Sequence, residues 1–92
     1  MSKVDDDFFN RADEHIHLAN DQMVKVSMGK VSASMLYSVA RFNAFVTASG
    51  CSSMAEMKKS RQMTIDFFVK EYEKMLIENL DDYIVHFDKY KT

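Results

Sequence analysis

Proline is absent from this 92-residue sequence, and glycine occurs only twice, at Gly29 and Gly50. The tight turns of β and α/β proteins rely on these two residues, because proline presets φ and glycine tolerates positive φ. Their scarcity disfavours an all-β or α/β chain and permits long, uninterrupted helices. The sequence therefore predicts an all-α protein.

The sequence also lacks the features of an exported or membrane protein. Its single cysteine, Cys51, cannot form an internal disulfide, which is typical of a reducing cytoplasm. The opening stretch MSKVDDDFF places three aspartates where a secretion signal needs basic residues and an apolar run. The run Val31–Ala48 approaches membrane-spanning length but contains Arg41, and a central arginine costs roughly 2.5–3.5 kcal/mol in a bilayer. We expect a cytoplasmic protein with no membrane segment.

An excess of positive charge is missing as well. The formal net charge is −2, whereas a nucleic-acid module usually carries a basic stripe. The nearest approach to one, Lys58–Arg61, has Glu56 and Asp66 close by and is typical of a solvated helix face. No catalytic or cofactor motif stands out. We therefore predict no nucleic-acid partner, no enzymatic activity and no cofactor.

What the sequence does contain is a central apolar stretch, Val31–Cys51, whose letters are VSASMLYSVARFNAFVTASGC. Arg41 is its one charged residue. A helix that is apolar on nearly every side has to be enclosed by other elements. The sequence therefore predicts a core helix from about Ser32 to Gly50, wrapped by the segments before and after it.

The flanking segments show helical periodicity. Apolar residues recur every three or four positions over about 6–27, and Gly29 is predicted to stop this first helix. A third segment begins at a capping-box pattern, Ser53 to Glu56, and its apolar stripe continues almost to the end of the sequence. Unbroken, that segment is roughly 55 Å long, about twice the length of its partners.

Acidic side chains are stabilising near the N-terminus of a helix and unfavourable near its C-terminus. Glu78, Asp81 and Asp82 are therefore better placed in the first turn of a new helix than in the last turns of the third one. We therefore predict a bend near Asn79–Asp81 and a short fourth helix over about 81–90. The whole sequence, residues 1–92, is predicted to form a single helical domain, a three-helix antiparallel bundle with this long third helix.

Two polar residues within the apolar helix, Arg41 and Asn43, need partners. In one interpretation Arg41 forms an ion pair with an acid on a flanking helix and Asn43 bonds to a nearby polar group. In the other, a pocket formed by Arg41, Asn43 and Tyr37, one turn earlier, receives an anionic small molecule. The structural interpretation is favoured, and the ligand site is kept as the alternative.

A metal site is the third hypothesis. Glu14 and His17 have the Glu-x-x-His spacing that aims a carboxylate and an imidazole at one ion in di-iron bundles. Such sites need a second copy of the motif and further glutamates, and the sequence has one copy. His15 and His17 lie about 200° apart around a helix and so cannot share an ion. We predict no metal site.

Three large apolar residues fall on no single core-facing stripe: Phe9, Met63 and Phe67. Exposed apolar side chains of this kind mark interaction surfaces. Together with the length of the third segment, they favour a non-enzymatic helical module that acts through protein–protein contact. The expected partner is a second copy of the chain or an unidentified protein.

Several strings of the sequence resemble a family of small, mostly proteobacterial proteins catalogued as a domain of unknown function. The strings are Arg11-Ala12-Asp13, Leu18-Ala19-Asn20, Gly29–Ser34, Leu36-Tyr37, Glu78–Ile84 and, the most distinctive, the ARFNAF string Ala40–Phe45. The resemblance spans nearly the whole sequence. It implies a bacterial, cytoplasmic protein and supplies no reaction, ligand or site residue.

Overall fold

The computed structural model of the protein describes residues 5–91. Helices occupy most of this part of the chain, and no strand lies within it. In order, the helices are α1 (Phe8–Gln22), α2 (Met28–Ser49), α3 (Met54–Lys59), α4 (Arg61–Val85) and α5 (Phe87–Tyr90). The predicted all-α class is confirmed, with three long helices and two short ones.

The described chain divides into two compact units, residues 5–42 and residues 43–91. The first contains α1 and most of α2, and the second contains the end of α2 with α3, α4 and α5. The boundary falls inside one continuous helix, and the single domain over residues 1–92 stays a prediction.

In the first unit, the start of α1 is held by Asp5. Its carboxylate accepts two hydrogen bonds from the Arg11 guanidinium, at 2.9 and 2.8 Å, and one from the backbone N–H of Asp7 at 3.1 Å. The Arg11 hydrogen bonds lower the pKa of Asp5 from 3.8 to about 2. Asp7 occupies the N-cap position without a side-chain cap bond, and Asp5, two residues earlier, has the stabilising role expected of the acidic cluster.

The turn between α1 and α2 corrects the predicted helix boundaries. α1 ends at Gln22, and α2 already begins at Met28, before Gly29. The N–H of Val31 donates to the carbonyl of Ser27 at 3.1 Å, and neither glycine has a positive φ. Gly29 is therefore part of the second helix and does not end the first. The backbone freedom of glycine permits a left-handed conformation but does not require one.

In the second unit, α3 begins at the predicted capping box. The Ser53 hydroxyl accepts a hydrogen bond from the Glu56 N–H at 3.1 Å. The Glu56 carboxylate reaches one residue further back than expected, to the N–H and hydroxyl of Ser52 at 2.6 and 3.2 Å. α3 then ends at Lys59, and Ser60 separates it from α4, a break that the apolar periodicity does not indicate.

The predicted bend near Asn79–Asp81 is not present. α4 continues to Val85 and the break falls at His86, whose backbone has φ −109° and ψ 30°. Asn79 is accommodated inside the helix because its side-chain amide donates to the Met75 carbonyl at 2.8 Å. The short last helix exists, over Phe87–Tyr90 rather than from about residue 81.

The predicted enclosure of the central helix is also not found. Among residues 5–91 the one buried side chain is Val31, at 4% exposure, whereas Phe42 and Val46 are 63% and 48% exposed. Periodicity shows which faces of a helix are apolar but does not show what covers them. Many large apolar side chains within residues 5–91 are more than one-third exposed.

Candidate functional site

One face of α4 carries the most regular exposed apolar surface of the second unit. Its members are three or four residues apart and 39–63% exposed: Ile65, Val69, Tyr72, Leu76, Leu80 and Tyr83. At 3.6 residues per turn they fall within about 80° of the helix circumference. We call these six side chains the α4 stripe.

The neighbouring face of α4 is less exposed than the α4 stripe. Thr64, Phe68 and Glu71 are only partly exposed, and Phe68 makes an edge-to-face contact with Phe67, with ring centroids 5.3 Å apart. Glu71 also pairs with Lys74 at 2.9 Å. The α4 stripe therefore borders a less exposed face of the same helix.

Charge changes sign along the same helix. Residues 58–61, just before and at the start of α4, hold three cations and no acid, whereas residues 78–82, near its end, hold three acids and no cation. Lys58, Lys59 and Arg61 have no ion-pair partner among residues 5–91. The α4 stripe thus lies between a basic end and an acidic end.

A groove in the second unit meets the basic end of α4. Its volume is about 260 Å³, and its wall contains Met54, Met57, Ile65, Thr47 and Thr64 together with the cations Lys58 and Arg61. Small-molecule sites usually occupy about 300–1,000 Å³. The groove is therefore slightly smaller than a usual small-molecule site, and Ile65 joins it to the α4 stripe.

The acidic end of α4 is organised around Asp82. One carboxylate oxygen accepts a hydrogen bond from the Tyr90 hydroxyl at 2.9 Å, and the other lies 3.2 Å from Nδ1 of His86. The hydrogen bond to Asp82 raises the pKa of Tyr90. Nδ1 of His86 is also 3.1 Å from the Asp82 carbonyl oxygen. The spacing of Asp82 and His86 is visible in the sequence, but the contribution of Tyr90, eight residues along, is not.

Two of the three predicted ligand residues lie together. The Arg41 guanidinium stands over the Tyr37 ring, 5.0 Å from its centroid, and Nη2 is 3.4 Å from the Tyr37 hydroxyl. Arg41 forms no ion pair within residues 5–91, so the favoured structural interpretation is not found there. Asn43 is two positions further along the helix, about 200° around its axis, and does not join them. The anion site stays a prediction.

The three residues predicted for an interface are all exposed. Phe9, Met63 and Phe67 are 57–75% exposed, and Phe9 contacts Phe8 edge-to-face with centroids 5.1 Å apart. Met63 and Phe67 are one turn apart on α4, on the side away from the α4 stripe. Their role in an interface stays a prediction. Three members of the α4 stripe, Ile65, Tyr72 and Tyr83, belong to the apolar stripe predicted for the third segment, whereas Val69, Leu76 and Leu80 were not singled out from the sequence.

Within residues 5–91 the Glu-x-x-His pair of the metal hypothesis has no third metal-binding side chain beside it. Glu14 and His17 are exposed on α1, and no group of three or more histidine, cysteine or acidic side chains comes together within residues 5–91. His15 instead lines a groove in the first unit, with Leu18 from α1 and Met35 from α2.

No helix within the described part of the chain has both the length and the apolar character needed to cross a bilayer. The described part of the chain has the structure of a small all-helical protein. The model of the family described as protein of unknown function (DUF3144) matches residues 8–84, and the chain belongs to this family. The resemblance seen in the sequence is thereby confirmed.

A solved relative supports the fold. The chain is similar to the protein NB7890A from Shewanella sp., whose structure was determined by NMR. The two are 35% identical, the match covers 98% of this chain and 96% of that one, and the TM-score is 0.79. No curated protein matches the chain.

Proposed function

We propose that this chain is a non-enzymatic interaction module whose α4 stripe packs against a second copy, so that the protein acts as a homodimer. The supporting observation is the contrast between one buried side chain in residues 5–91 and six partly exposed apolar side chains on a single helix face. Monomeric soluble proteins rarely leave a continuous apolar surface of this kind uncovered.

The size of the chain also favours association. A domain of this length buries only roughly 60–65% of its unfolded surface and is marginal by itself. Obligate homodimers resolve this with interfaces that resemble a protein core cut in half.

The test is sedimentation equilibrium of two matched variants, Leu76→Asp and Ile77→Asp. Both residues are apolar, exposed and adjacent on α4, but only Leu76 lies on the α4 stripe. We expect the wild-type chain to be a dimer. Leu76→Asp should raise the dissociation constant of the dimer at least about tenfold because it places a charge in the buried interface, whereas Ile77→Asp should change it little. A wild-type monomer at micromolar concentration, or equal effects of the two variants, would contradict the proposal.

A second candidate function is binding of an anionic small molecule at Arg41. It is favoured by one observation: the guanidinium stacks on Tyr37 and pairs with no carboxylate among residues 5–91. An arginine has five N–H donors, so most of them are available to a phosphate or carboxylate. Asn43 is not required for this arrangement.

A further inference from the structure

We infer that the groove at the start of α4 binds a short, unbranched alkyl carboxylate, with the alkyl part against the methionines of the wall and the carboxylate beside Lys58 and Arg61. This site is separate from Arg41 and does not depend on the proposed homodimer. Three observations lead to it: the two cations of the wall lack carboxylate partners, the rest of the wall is largely apolar, and the groove is small.

The two cations of the groove have no acid to pair with. Lys58 and Arg61 form no ion pair within residues 5–91, and no acid lies in the wall beside them. The acids nearest to them in sequence, Glu56 and Asp66, each accept a hydrogen bond from the residue four positions earlier. A guanidinium forms strong, paired hydrogen bonds with an anionic oxygen group. The charge of the wall thus favours an anion from outside the protein.

The helices place each of these cations next to an apolar side chain. Met54 and Lys58 are four residues apart on α3, and Arg61 and Ile65 are four residues apart on α4. Residues four apart lie on the same face of a helix, one turn from each other. Both helices therefore present one apolar and one charged side chain to the groove, which is the pattern that a ligand with an alkyl chain and a charged head requires.

The scarcity of polar groups in the wall favours an alkyl chain over a peptide. Apart from the two cations, the wall has the hydroxyls of Thr47 and Thr64, and the Thr47 hydroxyl already donates to the Asn43 carbonyl at 2.8 Å. Each residue of a peptide brings an N–H and a C=O that need partners, whereas an alkyl chain brings none. Methionine side chains are flexible and polarisable, so they adapt to such a chain.

The size of the groove limits both parts of the ligand. Its volume of about 260 Å³ lies below the range of roughly 300–1,000 Å³ that is usual for small-molecule sites, so the alkyl chain must be short. A carboxylate has two oxygens that need donors, whereas a phosphate group has three. The carboxylate is therefore the better match for a wall with two cations.

Methyl NMR of the methionines tests this site with octanoate as the probe. Octanoate is expected to shift the methyl signals of Met54 and Met57, and to leave that of Met63, which is 75% exposed outside the groove, unchanged. At about 10 mM it fills about nine-tenths of a site whose Kd is 1 mM. No shift of Met54 and Met57 at that concentration, or an equal shift of Met63, would overturn the inference.

Octylammonium is the control for the charge of the ligand, because it has the same alkyl chain with a positive head. The protein has a net charge of −2, so unspecific adsorption favours octylammonium. The groove is expected to favour octanoate, and an equal or stronger response of Met54 and Met57 to octylammonium would overturn the inference.

The length of the alkyl chain gives a second measurement. Full burial of one methylene group raises affinity about fourfold. Because the groove is open to solvent, we expect octanoate, with two more methylenes, to bind at least about threefold tighter than hexanoate. A smaller ratio would show that the alkyl chain does not lie in the groove.

Substitution of the cations locates the head of the ligand. Lys58→Gln with Arg61→Gln is expected to weaken octanoate binding about threefold to tenfold, as the loss of two exposed ion pairs. Both side chains are exposed, so the fold should be retained, which circular dichroism checks. Lys70→Gln, an exposed cation of α4 outside the groove, and Arg41→Gln should leave binding unchanged.

An unchanged affinity of the double variant, or an equal loss in either control, would overturn the site. The outcome is distinguishable from that of the homodimer. A monomer that binds octanoate in the groove would defeat only the homodimer, whereas a dimer that does not bind octanoate would defeat only this inference.

Discussion

Tyr90 is stacked on Tyr83, with ring centroids 3.9 Å apart and an angle of 18° between the planes. This contact joins α5 to the last turns of α4 across the break at His86. The Tyr90 hydroxyl donates to Asp82 in the same arrangement, so a ring contact and a hydrogen bond hold the short helix in place. Tyr83 is also a member of the α4 stripe, which connects the end of the chain to the proposed interface.

Substitution of Tyr90 separates these two contacts. Tyr90→Phe removes the hydrogen bond and keeps the stacking, whereas Tyr90→Ala removes both. We expect amide exchange of Tyr90 and Lys91, whose N–H groups bond to His86 and Phe87, to become faster in Tyr90→Ala by up to about tenfold. The change in Tyr90→Phe should be smaller. Equal exchange in all three proteins would show that neither contact holds α5.

The Asp5–Arg11 pair predicts a specific pH dependence. Asp5 has its pKa lowered from 3.8 to about 2 in the folded chain. A lowered pKa means that the carboxylate stabilises the fold above about pH 3.8 and that this contribution is lost as the pH falls toward 2. An NMR titration of the Asp5 carboxyl group should give a pKa near 2, and Arg11→Gln should return it toward 3.8. A normal pKa in the wild type would contradict the pair.

The Ser53 cap predicts that the same substitution, serine to alanine, has different effects at two sites. Ser53→Ala removes the hydroxyl that accepts from Glu56 and should lower the free energy of unfolding by about 1 kcal/mol. Ser38→Ala, within α2, removes a hydroxyl that bonds only to the Ser34 carbonyl and should be neutral or slightly stabilising, because alanine is the better helix former. Denaturant unfolding at one fixed protein concentration measures both, since the stability of a dimer depends on concentration.

The anion candidate predicts a thermal shift that depends on Arg41. Phosphates, carboxylates and nucleotides are the ligands to screen, and one present at a hundred times its Kd adds about 2.7 kcal/mol to the free energy of unfolding. Arg41→Gln should abolish the shift, whereas Lys30→Gln, an exposed cation of the same helix, should leave it unchanged. A screen without any shift would remove the basis for this candidate.

Features set by neighbouring residues in the sequence were predicted well. The all-α class follows from the absence of proline and the regular recurrence of apolar residues, both of which act over one or two turns. The Ser53 cap was predicted because the hydroxyl and the Glu56 N–H are only three residues apart. Membership of the family was also visible, on strings such as ARFNAF. These are local properties of the amino acids, so no knowledge of distant contacts was needed.

Features that depend on competing contacts were decided by the folded structure. Gly29 became part of α2, and the break near the end of the chain lies at His86, where Asp82 and Tyr90 surround the turn. Arg41 has Tyr37 as its partner instead of an acid. Above all, the side chains of the apolar stripe predicted for the third segment differ in exposure, with Ile65, Tyr72 and Tyr83 at 39–51%, because the period of a pattern determines which side chains share a face, whereas the position of other elements determines whether that face is covered.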